Sequence, residues 1–244
     1  MNRVARLCMY LILLLPLPCV SADITLTNGE WPPYLTEYEP GYGIASRIVT
    51  DAFAEVGIRV NYVFRPWKRA YKEAEAGIHE GSVVWSYEEE RAQKFLFSDS
   101  IFEGQSVFFH LKRVPFQWQT YDDLARFRIG GSLGYEYEFE KLLNIKVTHA
   151  GDDLSNFRKL LAGHIDIFPS DREVGYAILR RHFSKDELAQ FTHHPKVYNS
   201  VTYHLILNKQ HARNAGLMVR FNQGLKKLRD SGKYNGYFPS FARP

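Results

Sequence analysis

Cysteine is nearly missing from this chain. Of 244 residues two are cysteine, Cys8 and Cys19, both close to the start. Nothing beyond them can form a disulfide, act as a thiol nucleophile or bind a metal through sulfur. After the opening segment no apolar run approaches the ~20 residues that a membrane-spanning helix needs. Charge of one sign is lacking too: 31 Lys and Arg stand against 27 Asp and Glu, a formal net charge of +4. That near-balance excludes a nucleic-acid footprint and a polybasic membrane anchor. No G-x-S-x-G occurs, which excludes a serine-hydrolase elbow. Gly130-Gly131 followed by Gly134 looks like a phosphate-cradling loop. No Lys-Ser or Lys-Thr follows it, and no ribose acid stands at the expected distance. His193-His194 have no further His or acid at ligand spacing, so a surface loop is expected there. No cofactor and no metal are expected.

The opening segment reads as an export signal. Arg3 and Arg6 form a basic region, Leu7–Leu15 an apolar core, and Val20-Ser21-Ala22 a small-residue cleavage site. Residues 1–22 are expected to be a signal peptide, with a periplasmic mature chain beginning at Asp23. Pro16-Leu17-Pro18 makes a poor lipid-attachment box before Cys19. An exported chain without disulfides must hold together through its core. About 220 residues suffice for that, as one domain or two lobes. Aromatic content is 15%, enough for both core and ligand cage.

The periodicities alternate between strand and helix. Ile24–Thr27 reads as a strand, and two prolines hold Asn28–Tyr34 as a loop. Tyr42–Val56 has helical spacing and stops at Gly57; Arg59–Phe64 alternates as a strand. A helix follows Pro66-Trp67 and ends at Gly77, and Gly81–Trp85 is an apolar strand. Further strands are expected at Gln105–Leu111, within Arg128–Gly134 where a strand runs into a Gly-rich turn, and at Ile145–Ala150, Ile165–Phe168 and Val201–Leu207. Further helices are expected at Tyr121–Phe127, Tyr135–Leu143, Leu154–Ala162, Glu173–Phe183 and Ala212–Ser231. Strand and helix in turn predict α/β units with mostly parallel sheets. Two such units imply two lobes and a cleft.

The run Gly81–Ser98 carries the clearest chemistry. A buried strand stops at Ser86-Tyr87, three carboxylates follow, and Arg91 stands five residues after Ser86. Ligands of open sheets bind outside the carboxyl ends of strands, and Arg grips a carboxylate with two parallel hydrogen bonds. Arg91 is therefore a candidate for holding a small carboxylate. The alternative is a solvated helix start, with Arg91 merely paired to Glu88–Glu90.

In the order and spacing of these features the chain resembles the family 3 extracellular solute-binding proteins, the polar amino-acid receptors of ABC importers. The likeness runs over residues 23–240. It rests on the Asn28–Tyr34 loop, Pro66-Trp67, Ser82 through Arg91 to Ser98, Gly134-Tyr135, Asp166 with Asp171, and Phe221-Asn222 through Gly232-Lys233-Tyr234. The resemblance implies a two-lobed, periplasmic-binding-protein-like class II fold with a hinged cleft. It implies a first lobe of 23–102 and 205–244, a second lobe of 103–204, a monomer, and a permease partner in the inner membrane. Arg91 would take the ligand α-carboxylate and Asp171 its ammonium. Trp31 and Trp67 would supply aromatic walls and Asn28 a polar selector, with Tyr34 of the same loop also at the ligand. Val84 and Ser86 would add backbone and hydroxyl contacts. Glu136 and Tyr137 would sit at the second-lobe helix start.

Two departures stand out. Gly43-Ile44-Ala45-Ser46 replaces an acid-containing run, and Glu136 stands where a small hydroxylated residue is usual. A second ligand carboxylate would meet Glu136, so a neutral polar, aromatic or cationic amino acid is expected. The alternative is that Glu136 turns to solvent and offsets the helix dipole. Some relatives on this fold are cyclohexadienyl dehydratases, for which Glu136 would be the acid. Others report ligand to a membrane sensor. A binding protein without catalysis is the expectation.

Overall fold

The structure, a computed structural model, describes residues 22–133, 135 and 137–238. Residues 1–21 of the expected signal peptide, Gly134 and Glu136 lie outside the described residues. Among the described residues no helix is long and apolar enough to cross a membrane.

β1 (Ala22–Asn28) pairs in parallel with β2 (Ile58–Phe64) along its whole length, and with β3 (Gly81–Ser86) at Leu26 and Thr27. Ile24, Leu26, Thr27 and Asn28 are all buried, as a strand covered on both faces requires. α1 (Ile44–Ala54) buries Ile48, Val49, Ala52 and Phe53. Phe53 meets Phe221 of the long α8 (Asn214–Asp230), with ring centroids 5.0 Å apart. α2 (Trp67–Glu75) lays Ala70 and Ala74 on the sheet. Gly57 and Gly77, just past α1 and α2, adopt the positive φ that ends a helix. The short α3 (Glu89–Lys94) and β4 (Phe95–Phe97) follow.

β5 (Phe102–Leu111) leads into a second unit. That unit holds β6 (Ile129–Ser132), α4 (Glu138–Leu143), β7 (Val147–Ala150), α5 (Asp153–Leu161) and β8 (Ile167–Asp171). It continues with α6 (Arg172–His182), α7 (Lys185–Leu188) and β9 (Phe191–His193). β10 (Asn199–Asn208) returns to the first unit. The sheet order is β2-β1-β3-β10-β5-β8-β6-β7. Parallel pairs lie toward each outer end, while β10 and β5 run antiparallel to each other and to β3 and β8. The two mostly parallel sheets expected are thus joined into one path by two long antiparallel strands.

The core divides accordingly. One cluster gathers β1, α1, β3 and α8 with Leu205 and Leu207; two others gather β5 through β9. The first unit, which holds both ends of the described chain, is the terminal lobe; the second is the inserted lobe. Val174 and Ile178 of α6 pack against the terminal-lobe core, so the lobes are in contact.

Several expectations need correction. α4 begins at Glu138, not Tyr135, because Tyr137 is still extended at φ −112° and ψ 121°. Its six residues are too few for an N-terminal anion site. The strand expected at Ile165–Phe168 is β8, which starts at Ile167 and runs on through Pro169-Ser170-Asp171. Beyond Ile167 that strand has no β6 partner, an edge position that tolerates proline. His193 is not on a surface loop: it ends β9 and its Nδ1 bonds the Tyr176 hydroxyl at 2.7 Å. His194 is buried.

Candidate functional site

A cavity of about 60 Å³ lies where the lobes meet. Its floor is the β5–β10 ribbon, through Gly104, Ser106, Val201 and Tyr203. The terminal lobe adds Trp31; the inserted lobe adds Tyr135, Asp153, Ser170 and Asp171. The volume admits a few water-sized groups.

Asp171 is the last residue of β8 and the N-cap of α6. Its Oδ1 accepts the amides of Glu173 (3.0 Å) and Val174 (3.1 Å) and the Tyr34 hydroxyl at 3.1 Å. Burial pushes its carboxyl up to about 6; the Val174 amide and Tyr34 hydroxyl oppose the rise, and the Glu173 charge adds to it. Tyr34 is held protonated by its own burial and by the Asp171 charge. Asp171 Oδ2 accepts no hydrogen bond from the described residues. It faces Gly104, where a Cβ would come within 2.9 Å of it.

Asp153 is a second buried carboxylate. It opens α5, whose N-cap is the preceding Asp152. Ser132 donates to its Oδ1 at 2.5 Å and Ser170 to its Oδ2 at 2.9 Å. Burial raises its pKa, and the two hydroxyls counter part of that.

Aromatic rings wall the space. Trp31 meets Tyr203 edge-on at 5.1 Å and Tyr34 at 4.8 Å. Tyr34 stacks on Phe102 at 4.2 Å. Tyr135 is 54% exposed and lines the same space. Burial and the charges of Asp153 and Asp171 push that phenol up to about 12. A larger outer pocket of about 620 Å³ shares Trp31, Tyr135, Asp153 and Val174 with the cavity. It opens past Pro32, Pro33, Arg180 and His182.

No family model matches the chain, and no curated protein matches it in sequence. Solved structures match its fold. The second substrate binding domain of a putative amino acid ABC transporter from Streptococcus pneumoniae superposes with a TM-score of 0.71. The identity is 18%, over 89% of this chain and 97% of that one. A histidine kinase sensor domain similar to periplasmic binding proteins gives 0.67 at 19% identity, over 89% of this chain and 94% of that one. The GluR0 ligand-binding core from Nostoc punctiforme, in complex with L-glutamate, gives 0.66 at 15%, over 91% and 100%. The chain has a periplasmic-binding-protein-like fold. At these identities the likeness is one of fold alone.

Within that periplasmic-binding-protein-like fold the expected site residues divide. Trp31, Tyr137 and Asp171 line the cavity, and Tyr34 reaches it through Asp171. Tyr137 is mostly core: its ring stacks on Phe139 at 5.6 Å and its hydroxyl accepts the Ser132 amide at 2.9 Å. Asn28, Trp67, Val84, Ser86 and Arg91 do not line the cavity. Asn28 is buried and donates to Ser46 Oγ at 2.9 Å. Trp67 covers Gly29 and meets Trp85 edge-on at 5.4 Å. Val84 is buried at φ +65°, beside a register shift in β10 between His204 and Leu205. A β-branched residue there is a strained outlier. Arg91 turns to the Ser86 carbonyl (3.1 Å), Ser86 Oγ (3.0 Å) and Glu88 (2.6 Å), with its guanidinium 5.0 Å over Trp85. Sequence reasoning missed Asp153, Gly104 and Tyr203.

Proposed function

We propose that this chain is a periplasmic solute-binding protein that closes two lobes on a small ligand carrying an ammonium group. Amino acids are the class suggested by its structural neighbours, among them a transporter domain and a glutamate-bound receptor core. The lobes are 23–102 with 205–244, and 103–204. Asp171 takes the ammonium and the rings of Trp31 and Tyr203 enclose it. Delivery is to the permease of an ABC importer, and the protein acts as a monomer. One observation carries the reading: Asp171 lines an inter-lobe cavity with its Oδ2 toward Gly104, while Tyr34 and the amides of Glu173 and Val174 all bond its Oδ1.

The test is thermal unfolding of the mature protein against a panel of amino acids and amines. At one hundred times its dissociation constant a ligand adds about 2.7 kcal/mol, or roughly 5–10 °C for a chain of this size. A panel that leaves the melting temperature unmoved sinks the proposal.

The two raised carboxylates favour one second reading. A buried carboxyl whose hold on its proton is strengthened by burial is suited to the general-acid role that a dehydratase needs. Aromatic product from prephenate or arogenate would establish it. The likeness to a kinase sensor domain bears on where captured ligand is reported, not on how it is captured.

A further inference from the structure

The cavity is lined by two acids and, among the described residues, by no Lys, Arg or His. Asp153 spends both oxygens on serine hydroxyls. Asp171 spends Oδ1 on Tyr34 and two amides, leaving Oδ2 toward the space above Gly104. Trp31 and Tyr203 stand beside it as electron-rich walls, which attract cations. Arg91, the side chain suited to a carboxylate, is committed to Ser86, Glu88 and the face of Trp85.

In an α-amino acid one carbon separates the ammonium from the carboxylate. Seating the ammonium on Asp171 brings that carboxylate into the same cavity. There it meets Asp153 and finds no cation among the lining groups. Like charges close together in a partly desolvated site repel strongly. A ligand bearing only the cation avoids the conflict. Its body also has a way out, since Trp31, Tyr135 and Asp153 line both the cavity and the outer pocket.

We propose that the cleft takes an organic cation without an α-carboxylate, an alkyl- or arylalkylamine. Its ammonium sits on Asp171 and its body runs past Trp31 into the outer pocket. This rests on the solute-binding reading above and narrows its ligand class.

Calorimetry on the mature protein with two matched pairs tests it: agmatine against arginine, and 2-phenylethylamine against phenylalanine. In at least one pair the amine should bind tenfold or more tightly than its parent amino acid. Asp171→Asn should weaken that amine by tens of fold with an unchanged melt, because Asn also caps helices well. Amino acids binding as tightly as their amines in both pairs would overturn the proposal and leave the solute-binding reading standing. Undiminished amine binding by Asp171→Asn would overturn it too. Silence from all four compounds would overturn both.

Discussion

The Tyr34 hydroxyl donates to Asp171 Oδ1 across 3.1 Å and so ties the two lobes together at the edge of the cavity. Tyr34 is anchored in the terminal lobe by its stack on Phe102; Asp171 is anchored in the inserted lobe as the cap of α6. Hydrogen bonds to charged groups contribute roughly 1.5–3 kcal/mol. Tyr34→Phe keeps the ring and removes this bond. The unliganded protein should open, seen as a larger radius of gyration in small-angle scattering, with little change in its unfolding temperature. A scattering profile identical to wild type would show that the contact does not hold the lobes.

Asp171 gives the protein a pH dependence of definite sign. Its carboxyl is raised to about 6, above the unfolded value near 3.9. Between these values the folded chain keeps a proton that the unfolded chain has released. The stability so gained is complete below about pH 4 and is lost as pH climbs to about 6. Binding of an ammonium runs the other way, because it needs the anion. Affinity should rise about tenfold per pH unit below 6 and level off above it. Melts and calorimetry from pH 4 to 8, taken as wild type minus Asp171→Asn, isolate this group. A flat difference would contradict the assignment.

Gly104 leaves the room above Asp171 open. A Cβ there would stand 2.9 Å from Asp171 Oδ2 and 2.9 Å from the Tyr203 ring. Gly104→Ala should reduce ligand affinity at least tenfold, about 1.4 kcal/mol. Its melting temperature should move by only a few degrees, since the lost chain entropy of the unfolded state offsets part of the crowding. Wild-type affinity in this variant would move the ligand away from the ribbon.

Two glycines of α8 should answer oppositely to alanine. A Cβ on Gly224 would lie within 1.8 Å of the Ala52 carbonyl oxygen, where α8 crosses α1; one on Gly216 meets nothing within 4 Å. Gly216→Ala should stabilise the protein by up to about 1 kcal/mol. Gly224→Ala should destabilise it by about 1–3 kcal/mol or more, because backbone cannot yield as a side chain does. Denaturant unfolding of the pair checks the helix contact, and a stabilised Gly224→Ala would disprove it.

Much of this fold was legible because its signals are local. Gly57, Gly77 and Gly163 stop helices by taking up positive φ, and Thr120 forms a capping box at Tyr121–Arg126. Short elements were not legible: β4 and β9 have three residues each, too few for a period. Within the site, Asp171 stood out through the family spacing after Asp166. Asp153 did not, since an acid in the first turn of a helix has a sufficient local reason to be there. Gly104 lies just before the strand expected at Gln105–Leu111, and Tyr203 sits on a strand whose alternation reads as core. Only the pairing of β5 with β10 shows that they face a cavity. Arg91 carried a strong local signal for a carboxylate grip. The acid that engages it, Glu88, was three residues away in the same run.

Ser106↔Asn199 through Phe102↔Tyr203 form a two-stranded ribbon of five rungs linking the lobes. Such a ribbon flexes readily out of its plane, since flexing keeps the rungs intact. It resists sliding in its plane, since sliding breaks them. The lobe closure proposed above would therefore swing about one axis and not shear. Gly104, Ser106, Val201 and Tyr203, which the ligand would touch, belong to this same ribbon. On the proposed function, the bearing of the joint and the seat of the ligand would be one piece of backbone, so the bulk of what is seated would set the angle of closure directly, with no relay between.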